Sequence, residues 1–571
     1  MLRRDALGAL SAETLHAARL PSAEVSVAES LVPDLLCASP ACRIQAEQTK
    51  LAIALAFASG VAGGLFADAL GAARPIASSW DAAGFANDVL LHQFVALCFK
   101  VPTTGGEGAV STKHLVSVLA RPPVDSASVH HRRAILAELT EHAELLSALQ
   151  RLYRKTLGLR GLLEGGAGLG SWDANRRRLD ILRAVKGIVD CMAEEFRGAR
   201  SGLSRLTAFG TRVQSGEPYT SMAQLLSYDE RLATLKLDVC VGADGRIRGF
   251  QILAVEEDQQ NPFASSPLRR WLAKLELFVR GFKLGDGEVM ARLIDAVFEG
   301  LEDELVPIIQ LLGDLAFYLG ALGFREMSAA AGLPVCLPEL TEADEPRVLL
   351  GLFNPLLAAQ GSLTVPCDLT LDRNDVTVLV TGPNSGGKTR LLQSIALTQL
   401  LAQAGAFVPA RSACCALAPA LVVSLLQETR ADQPEGRLGM ELLRIRTLFE
   451  RLPPGAMVLL DELCSGTNPS EGEEIFELVV RMLGELGPQG FITTHFLTFA
   501  ARLERERSIA GLRFLQVELG RDEQPTYQFM AGVARTSLAS HAAARLGVTA
   551  EQLMTLIERN RALASRTPHS P

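Results

Sequence analysis

The eight residues Gly382-Pro-Asn-Ser-Gly-Gly-Lys-Thr389 constrain this chain more than any others. They spell GxxxxGK[ST] without a gap. Before them, Val376-Thr-Val-Leu-Val380 is a short apolar run that reads as a buried strand, and after them Arg390 to Ala404 has the pattern of a helix. A glycine loop between a strand and a helix turns backbone N–H groups inward. It also sets a helix N-terminus behind them, which suits phosphate oxygens. Gly382, Pro383, Asn384, Ser385, Gly386, Gly387, Lys388 and Thr389 are therefore the expected nucleotide-binding set. Lys388 is expected to reach the β- and γ-phosphates of ATP, and Thr389 to offer its hydroxyl to Mg²⁺.

Two later segments fit the same chemistry. Ala456-Met-Val-Leu-Leu460 is an apolar strand that ends in Asp461-Glu462. Asp461 is the expected partner of the Mg²⁺ shell, and Glu462 the group that polarises an attacking water. A third short strand, Phe491-Ile-Thr-Thr494, runs into His495, which is placed to sense the γ-phosphate. Lys388, Glu462 and His495 are the expected catalytic residues, and Thr389 and Asp461 the expected metal ligands.

The order phosphate loop, Asp-Glu, strand-His is that of ABC-type ATPases, and the wording is narrower still. GPNSGGKT is followed by LLAQAGAFVPA from Leu400 to Ala410, DELCSGTNPSEG from Asp461 to Gly472, and TTHF from Thr493 to Phe496. These segments resemble the MutS family, and within it the branch without mismatch-reading domains. Val365-Pro-Cys-Asp368 before the cassette and SLASHAAARLGV from Ser537 to Val548 after it extend the likeness. The resemblance implies an α/β ABC-type P-loop ATPase domain over residues 341–571 with a closing helical dimerisation segment. It also implies ATP and Mg²⁺ as cofactors, a homodimer, and a role in binding duplex or branched DNA. Three departures stand out. The family's Phe-x-Glu wedge is missing, since Phe324-Arg325-Glu326 falls at a helix end just before the cassette. No nuclease module is expected after residue 560. The Gly-x-Ser signature segment is replaced by Glu435-Gly-Arg-Leu-Gly-Met-Glu441. The altered segment leaves room for a nucleotide-gated binding module with little turnover.

Residues 1–340 read as a mainly α-helical region, similar in style to the family's core and lever. Helical patterns run over about 130–156 and 173–197, with a Gly-rich break over 161–170 between them. Over 233–258 the period changes to two. Leu235, Leu237, Val239 and Val241 alternate with Lys236, Asp238 and Cys240 ahead of an Asp244-Gly245 turn, as in a β-hairpin. This small insertion stands where the family carries a DNA-embracing clamp. Helices are expected again from Pro267 to about Phe324.

The net charge of −8 leaves DNA binding to a local patch, because total charge does not attract phosphate. Residues 121–212 hold 16 Lys/Arg against 10 Asp/Glu. His130-His-Arg-Arg133, Arg151, Arg154, Lys155, Arg160 and Arg176-Arg-Arg178 carry most of the excess, which is expected either to meet phosphates or to form a solvated helix face. A ribosome or another ribonucleoprotein is the alternative partner. The ten cysteines form no CxxC pair, which fits reduced thiols in a cytoplasmic protein. Arg3 and Arg4 lead into a mixed helix rather than an export signal. The uncharged run Leu51–Ala67 is marginal as a membrane span and is expected to be a buried helical hairpin.

Overall fold

The computed structural model describes residues 32–59, 63–101, 112–165, 174–232, 236–241, 247–254, 286–425, 437–464, 469–535 and 548–564. The chain divides into two compact units. One gathers residues 1–74, 106–110 and 137–316, the other 75–105, 111–136 and 317–571.

The first unit is helical. Its helices are α1 (Ala46–Ser59), α2 (Leu65–Gly71), α6 (Ala143–Glu164), α7 (Ala174–Glu195), α8 (Ser204–Ser215), α9 (Glu217–Leu232) and α10 (Asp286–Glu299). α7 presents Leu179, Leu182, Val185, Ile188, Val189 and Met192 at steps of three and four, and all are buried. The expected helix over 130–156 is broken at His142, whose extended φ of −120° ends α5 (Ser126–Glu141) and starts α6. The expected hairpin is present: β1 (Lys236–Val241) pairs antiparallel with β2 (Ile247–Ala254), Val239 opposite Phe250. Its turn around Asp244 lies outside the described residues. The expected helical hairpin over Leu51–Ala67 corresponds to α1 and the start of α2, but it is only partly buried: Ile53, Phe57 and Phe66 are buried, whereas Leu51 and Leu55 on α1 are 75% and 61% exposed.

The second unit contains helices α3 (Leu91–Leu97) and α4 (Thr112–Leu119) and two sheets. It thus takes in more chain than the expected 341–571 cassette. α11 (Glu302–Ala330) and α5 each contribute residues to both units. α11 is the one helix among the described residues long and apolar enough to cross a membrane, and 94% of its most apolar window is buried in the fold.

The smaller sheet runs in the order β3 (Glu339–Thr341), β7 (Ser412–Ala416), β4 (Arg347–Leu352), β5 (Cys367–Leu371). The larger runs in the order β12 (Pro525–Ala531), β11 (Leu512–Leu519), β6 (Thr377–Thr381), β10 (Gln489–Thr493), β9 (Met457–Leu460), β8 (Leu421–Ser424). All its pairings are parallel except that of β11 with β12. β6, β9 and β10 are buried at every position, the mark of a parallel sheet covered on both faces. Leu379, Val458, Leu460 and Ile492 pack with Phe476, Val480 and Leu483 of α15 (Pro469–Leu486) and Phe499 of α16 (Leu497–Glu506). Remaining helices are α12 (Pro355–Ala359), α13 (Lys388–Gln403), α14 (Arg437–Arg451) and α17 (Ala550–Ala564).

Candidate nucleotide site

Strands β6, β10 and β9 are neighbours and parallel, so their carboxyl ends open on one edge of the sheet. That is where ligands bind in open α/β sheets. The glycine loop leaves β6, His495 follows β10, and Asp461-Glu462 follows β9. Segments far apart in sequence therefore converge because the sheet order places their strands side by side.

The loop is tightly packed from below. Gly382 has φ +137°, a conformation that favours glycine, and a Cβ there would lie 2.7 Å from Cγ2 of Val517. A Cβ on Gly386 would come within 2.8 Å of the same methyl. Val517 of β11 is thus the floor under both glycines. Gly387 caps α13 in the left-handed region at φ +84°, and its Cα faces the ring of Tyr527 on β12. Tyr527 is itself left-handed, at φ +62°, and 41% exposed.

Lys388 is buried, and its Nζ donates to the carbonyls of Gly382 (2.9 Å) and Pro383 (3.1 Å) and to Oδ1 of Asn384 (3.4 Å). Burial pushes its ammonium pKa down, while the nearby carboxylates of Glu462 and Asp461 pull it back up. The Thr389 hydroxyl donates to Oδ2 of Asp461 at 2.5 Å. The other carboxylate oxygen, Oδ1, accepts from the hydroxyl of Thr493, and that hydroxyl accepts in turn from the backbone N–H of Glu462 at 2.8 Å. Glu462 has φ +49° and Cys464 φ +63°, so the chain leaves β9 through a strained turn. His495 is exposed next to Phe496, their ring centroids 4.2 Å apart.

Thr389 and Asp461 present two hard oxygen donors together, a set that fits Mg²⁺, which takes one or two protein oxygens and fills its shell with phosphates and water. Among the described residues no group of three His, Cys, Asp or Glu side chains is gathered as a dedicated metal cage. Of the altered segment 435–441, residues 435 and 436 lie outside the described residues, and Arg437 to Glu441 form the first turn of α14. Gln427, a candidate link from the metal site to the helical arms, and Ser465–Asn468, the loop expected to meet a partner subunit, also lie outside the described residues. Sequence reasoning did not single out Val517, Tyr527 or a role for Thr493. Only the place of Thr493 at the end of β10, beside the strand that ends in Asp461, was available as a hint.

The expected phosphate-binding cations outside this unit are largely engaged within the protein. Arg177 donates to the carbonyls of Ala56, Phe57 and Leu162, closing the last turns of α1 and α6. Arg178 pairs with Asp295 at 3.0 Å, Arg151 with Glu195 at 2.7 Å and Arg160 with Glu164 at 2.8 Å. In the second unit Arg132 is buried, with Nη1 donating to the Ala404 carbonyl at the end of α13.

A parallel sheet with a strand–glycine loop–helix unit at its carboxyl edge defines the class of domain. Residues 378–563 match the family model described as MutS domain V. The endonuclease MutS2 of Thermomicrobium roseum is 31% identical over 276 residues, 46% of this chain and 33% of the relative. The endonuclease MutS2 of Thermus thermophilus is 31% identical over 286 residues, 49% of this chain and 36% of the relative. That of Streptococcus mutans is 30% identical over 264 residues, 44% and 32% respectively. Over this domain the chain is similar to the MutS family. The match spans about a third of the length of these curated relatives.

Proposed function

We propose that this chain binds Mg²⁺-ATP at the β6–α13 loop, hydrolyses it, and couples that cycle to a grip on DNA. The observation that carries the reading is the chain of contacts from Thr389 through Asp461 and Thr493 to Glu462. It joins the phosphate loop, the metal-side carboxylate and the water-activating carboxylate at adjacent strand ends. Lys388 exchanges its three loop acceptors for phosphate oxygens and holds the negative charge that develops on transfer. Glu462 orients and polarises the attacking water, and His495 reads the γ-phosphate. Thr389 and Asp461 would hold Mg²⁺, which when bound would neutralise phosphate charge. Tyr527 offers an exposed ring beside Gly387 as a platform for the rest of the nucleotide.

Two supports bear on assembly and partner. Among the described residues Leu553, Met554, Leu556 and Ile557 of α17 are between 41% and 57% exposed, apolar side chains on an otherwise polar helix that suit self-association. The relatives are named endonucleases, which points to nucleic acid. Their nuclease activity is not extended to this chain, because the match covers about a third of each.

Steady-state ATP turnover by the full chain tests the reading, alone and with duplex, branched or single-stranded DNA. Glu462→Gln lowers kcat about 10²- to 10⁴-fold while ATP still binds, and Lys388→Ala abolishes binding. Normal turnover by either variant sinks the site assignment. Turnover indifferent to every DNA form, but altered by ribosomes, moves the partner to a ribonucleoprotein.

A further inference from the structure

The geometry points to Thr493 as a positioning residue that sets both Asp461 and Glu462, an inference that rests on the reading of this site as an Mg²⁺-ATP site. Its hydroxyl is fully committed. It donates its one proton to Oδ1 of Asp461, and it accepts the N–H of Glu462 at 2.8 Å. The side chain is buried, at 0% exposure, and β10 is held on both sides by β9 and β6, so the hydroxyl has a fixed place.

The consequence for Asp461 is a division of labour between its two oxygens. With Oδ1 held by Thr493, Oδ2 is left pointing at the Thr389 hydroxyl, the side on which the metal shell forms. Without the Thr493 hydroxyl the carboxylate is free to rotate about its last torsion, and one anchor of the metal site is lost.

The consequence for Glu462 is backbone placement. Its φ of +49° is uncommon for a side-chain-bearing residue and persists only where neighbours hold it. The bond from its own N–H to Thr493 is one such restraint. It fixes the turn from which the water-activating carboxylate projects. One hydroxyl thus ties metal-side and water-side groups into a single unit, so that neither moves without the other.

The test uses the full chain with Thr493→Val, which keeps the shape and removes the hydroxyl, and Thr493→Ser, which keeps the hydroxyl. Binding of a fluorescent ATP analogue is titrated against Mg²⁺, turnover is measured in parallel, and the melting temperature of each variant is recorded without nucleotide. Thr493→Val raises the Mg²⁺ needed for half-maximal tightening about 10- to 100-fold. Its kcat falls by about as much, and Thr493→Ser restores both to within about threefold of the parent. At saturating Mg²⁺ in the Glu462→Gln background Thr493→Val lowers kcat little further, because its effect on Asp461 is then overcome by the metal and its other effect acts through the group already removed. An unchanged Mg²⁺ requirement in Thr493→Val overturns the proposal. So does a folded Thr493→Ser chain as impaired as Thr493→Val. A parent chain that binds ATP without turnover leaves the Mg²⁺ titration to decide. An Asp461→Asn chain with an unchanged Mg²⁺ requirement refutes instead the reading of the site, and the role of Thr493 falls with it.

Discussion

Two glycines of the phosphate loop press on one valine, but for different reasons, and substitution can separate them. A Cβ on Gly386 would lie 2.8 Å from Cγ2 and 3.1 Å from Cγ1 of Val517, and 3.0 Å from the Pro383 carbonyl. Its backbone φ is not among the positive ones, so the obstacle is space alone. Gly386→Ala should cost about 1–3 kcal/mol by overpacking. Gly382 meets the same side chain at 2.7 Å, but it also has φ +137°. Gly382→Ala therefore adds backbone strain of about 1–3 kcal/mol that no neighbour can relieve. Val517→Ala, at a 3%-exposed site, costs about 1–3 kcal/mol by itself. In that shortened background Gly386→Ala should cost less, with a favourable coupling of about 1–2 kcal/mol, the remainder coming from the Pro383 carbonyl. Gly382→Ala should remain destabilising by at least the strain.

Trp80 provides the probe for this cycle. It is buried in the second unit, with its indole N–H donating to the Ala418 carbonyl at 2.9 Å. The chain has three tryptophans, so Trp172→Phe and Trp271→Phe isolate its fluorescence. Urea unfolding followed at Trp80 reports the stability of the unit that carries the loop, apart from the helical unit. Coupling below about 0.5 kcal/mol between Gly386→Ala and Val517→Ala refutes the account of Val517 as a shared floor. Rescue of Gly382→Ala to near neutrality by Val517→Ala refutes the strain assigned to Gly382.

Tyr527→Ala should weaken ATP-analogue binding about 5- to 30-fold with little change in kcat, as expected for the loss of a stacking face. Isothermal titration checks this, and unchanged affinity removes Tyr527 from the site. Glu138 of α5 is buried; burial alone would raise its pKa, but bonds from the Ser201 hydroxyl and from the backbone N–H groups of Arg200 and Ser201 hold it below the usual carboxylate range. A depressed folded-state pKa gives stability that is fully present above about pH 4.3, the ordinary glutamate value, and lost as pH falls through the lower folded value. Glu138→Gln should therefore lower the melting temperature at pH 7 and flatten the loss of stability below pH 4; parallel acid titrations of parent and variant check this, and identical losses in the two would refute it.

The strand before the glycine loop, the loop itself, the Asp-Glu strand end and the β-hairpin were all legible, because each is written in local spacing. A period of two marks β1 and β2, and an unbroken apolar run marks β6 and β9, buried on both faces. What was not legible depends on which strands become neighbours. Thr493 matters because β10 lies between β6 and β9, and Val517 and Tyr527 matter because β11 and β12 flank β6 on its other side. These residues reach the loop from more than a hundred positions away; Thr493 stands in the TTHF segment without its role being evident there, and no motif announces Val517 or Tyr527. Nor does local pattern reveal that residues 75–105 and 111–136 fold with the cassette. Trp80 binding the Ala418 carbonyl, Asp88 accepting from the Leu425 N–H and Arg132 closing the end of α13 are tertiary bonds across some 270 to 340 residues.

The basic stretch shows the same limit in its electrostatics, and it bears on the partner. A run such as Arg176-Arg-Arg178 in a chain of net negative charge suggests a phosphate-facing patch only while its partners are unknown. In the fold, Arg177 spends its guanidinium on three carbonyls at helix ends, where a cation also complements the helix dipole. Arg151, Arg160, Arg178, Lys186 and Arg212 each face a carboxylate within 3.0 Å. A paired cation must give up that partner before it neutralises a phosphate, so its net gain on DNA is small and its contribution to the salt dependence of binding is correspondingly weak. DNA binding by this chain therefore should not scale with the 16 Lys/Arg of residues 121–212. Charge reversal at Arg151 or Arg178 should lower the melting temperature of the helical unit more than it weakens DNA binding, and the opposite order would return the patch to the interface.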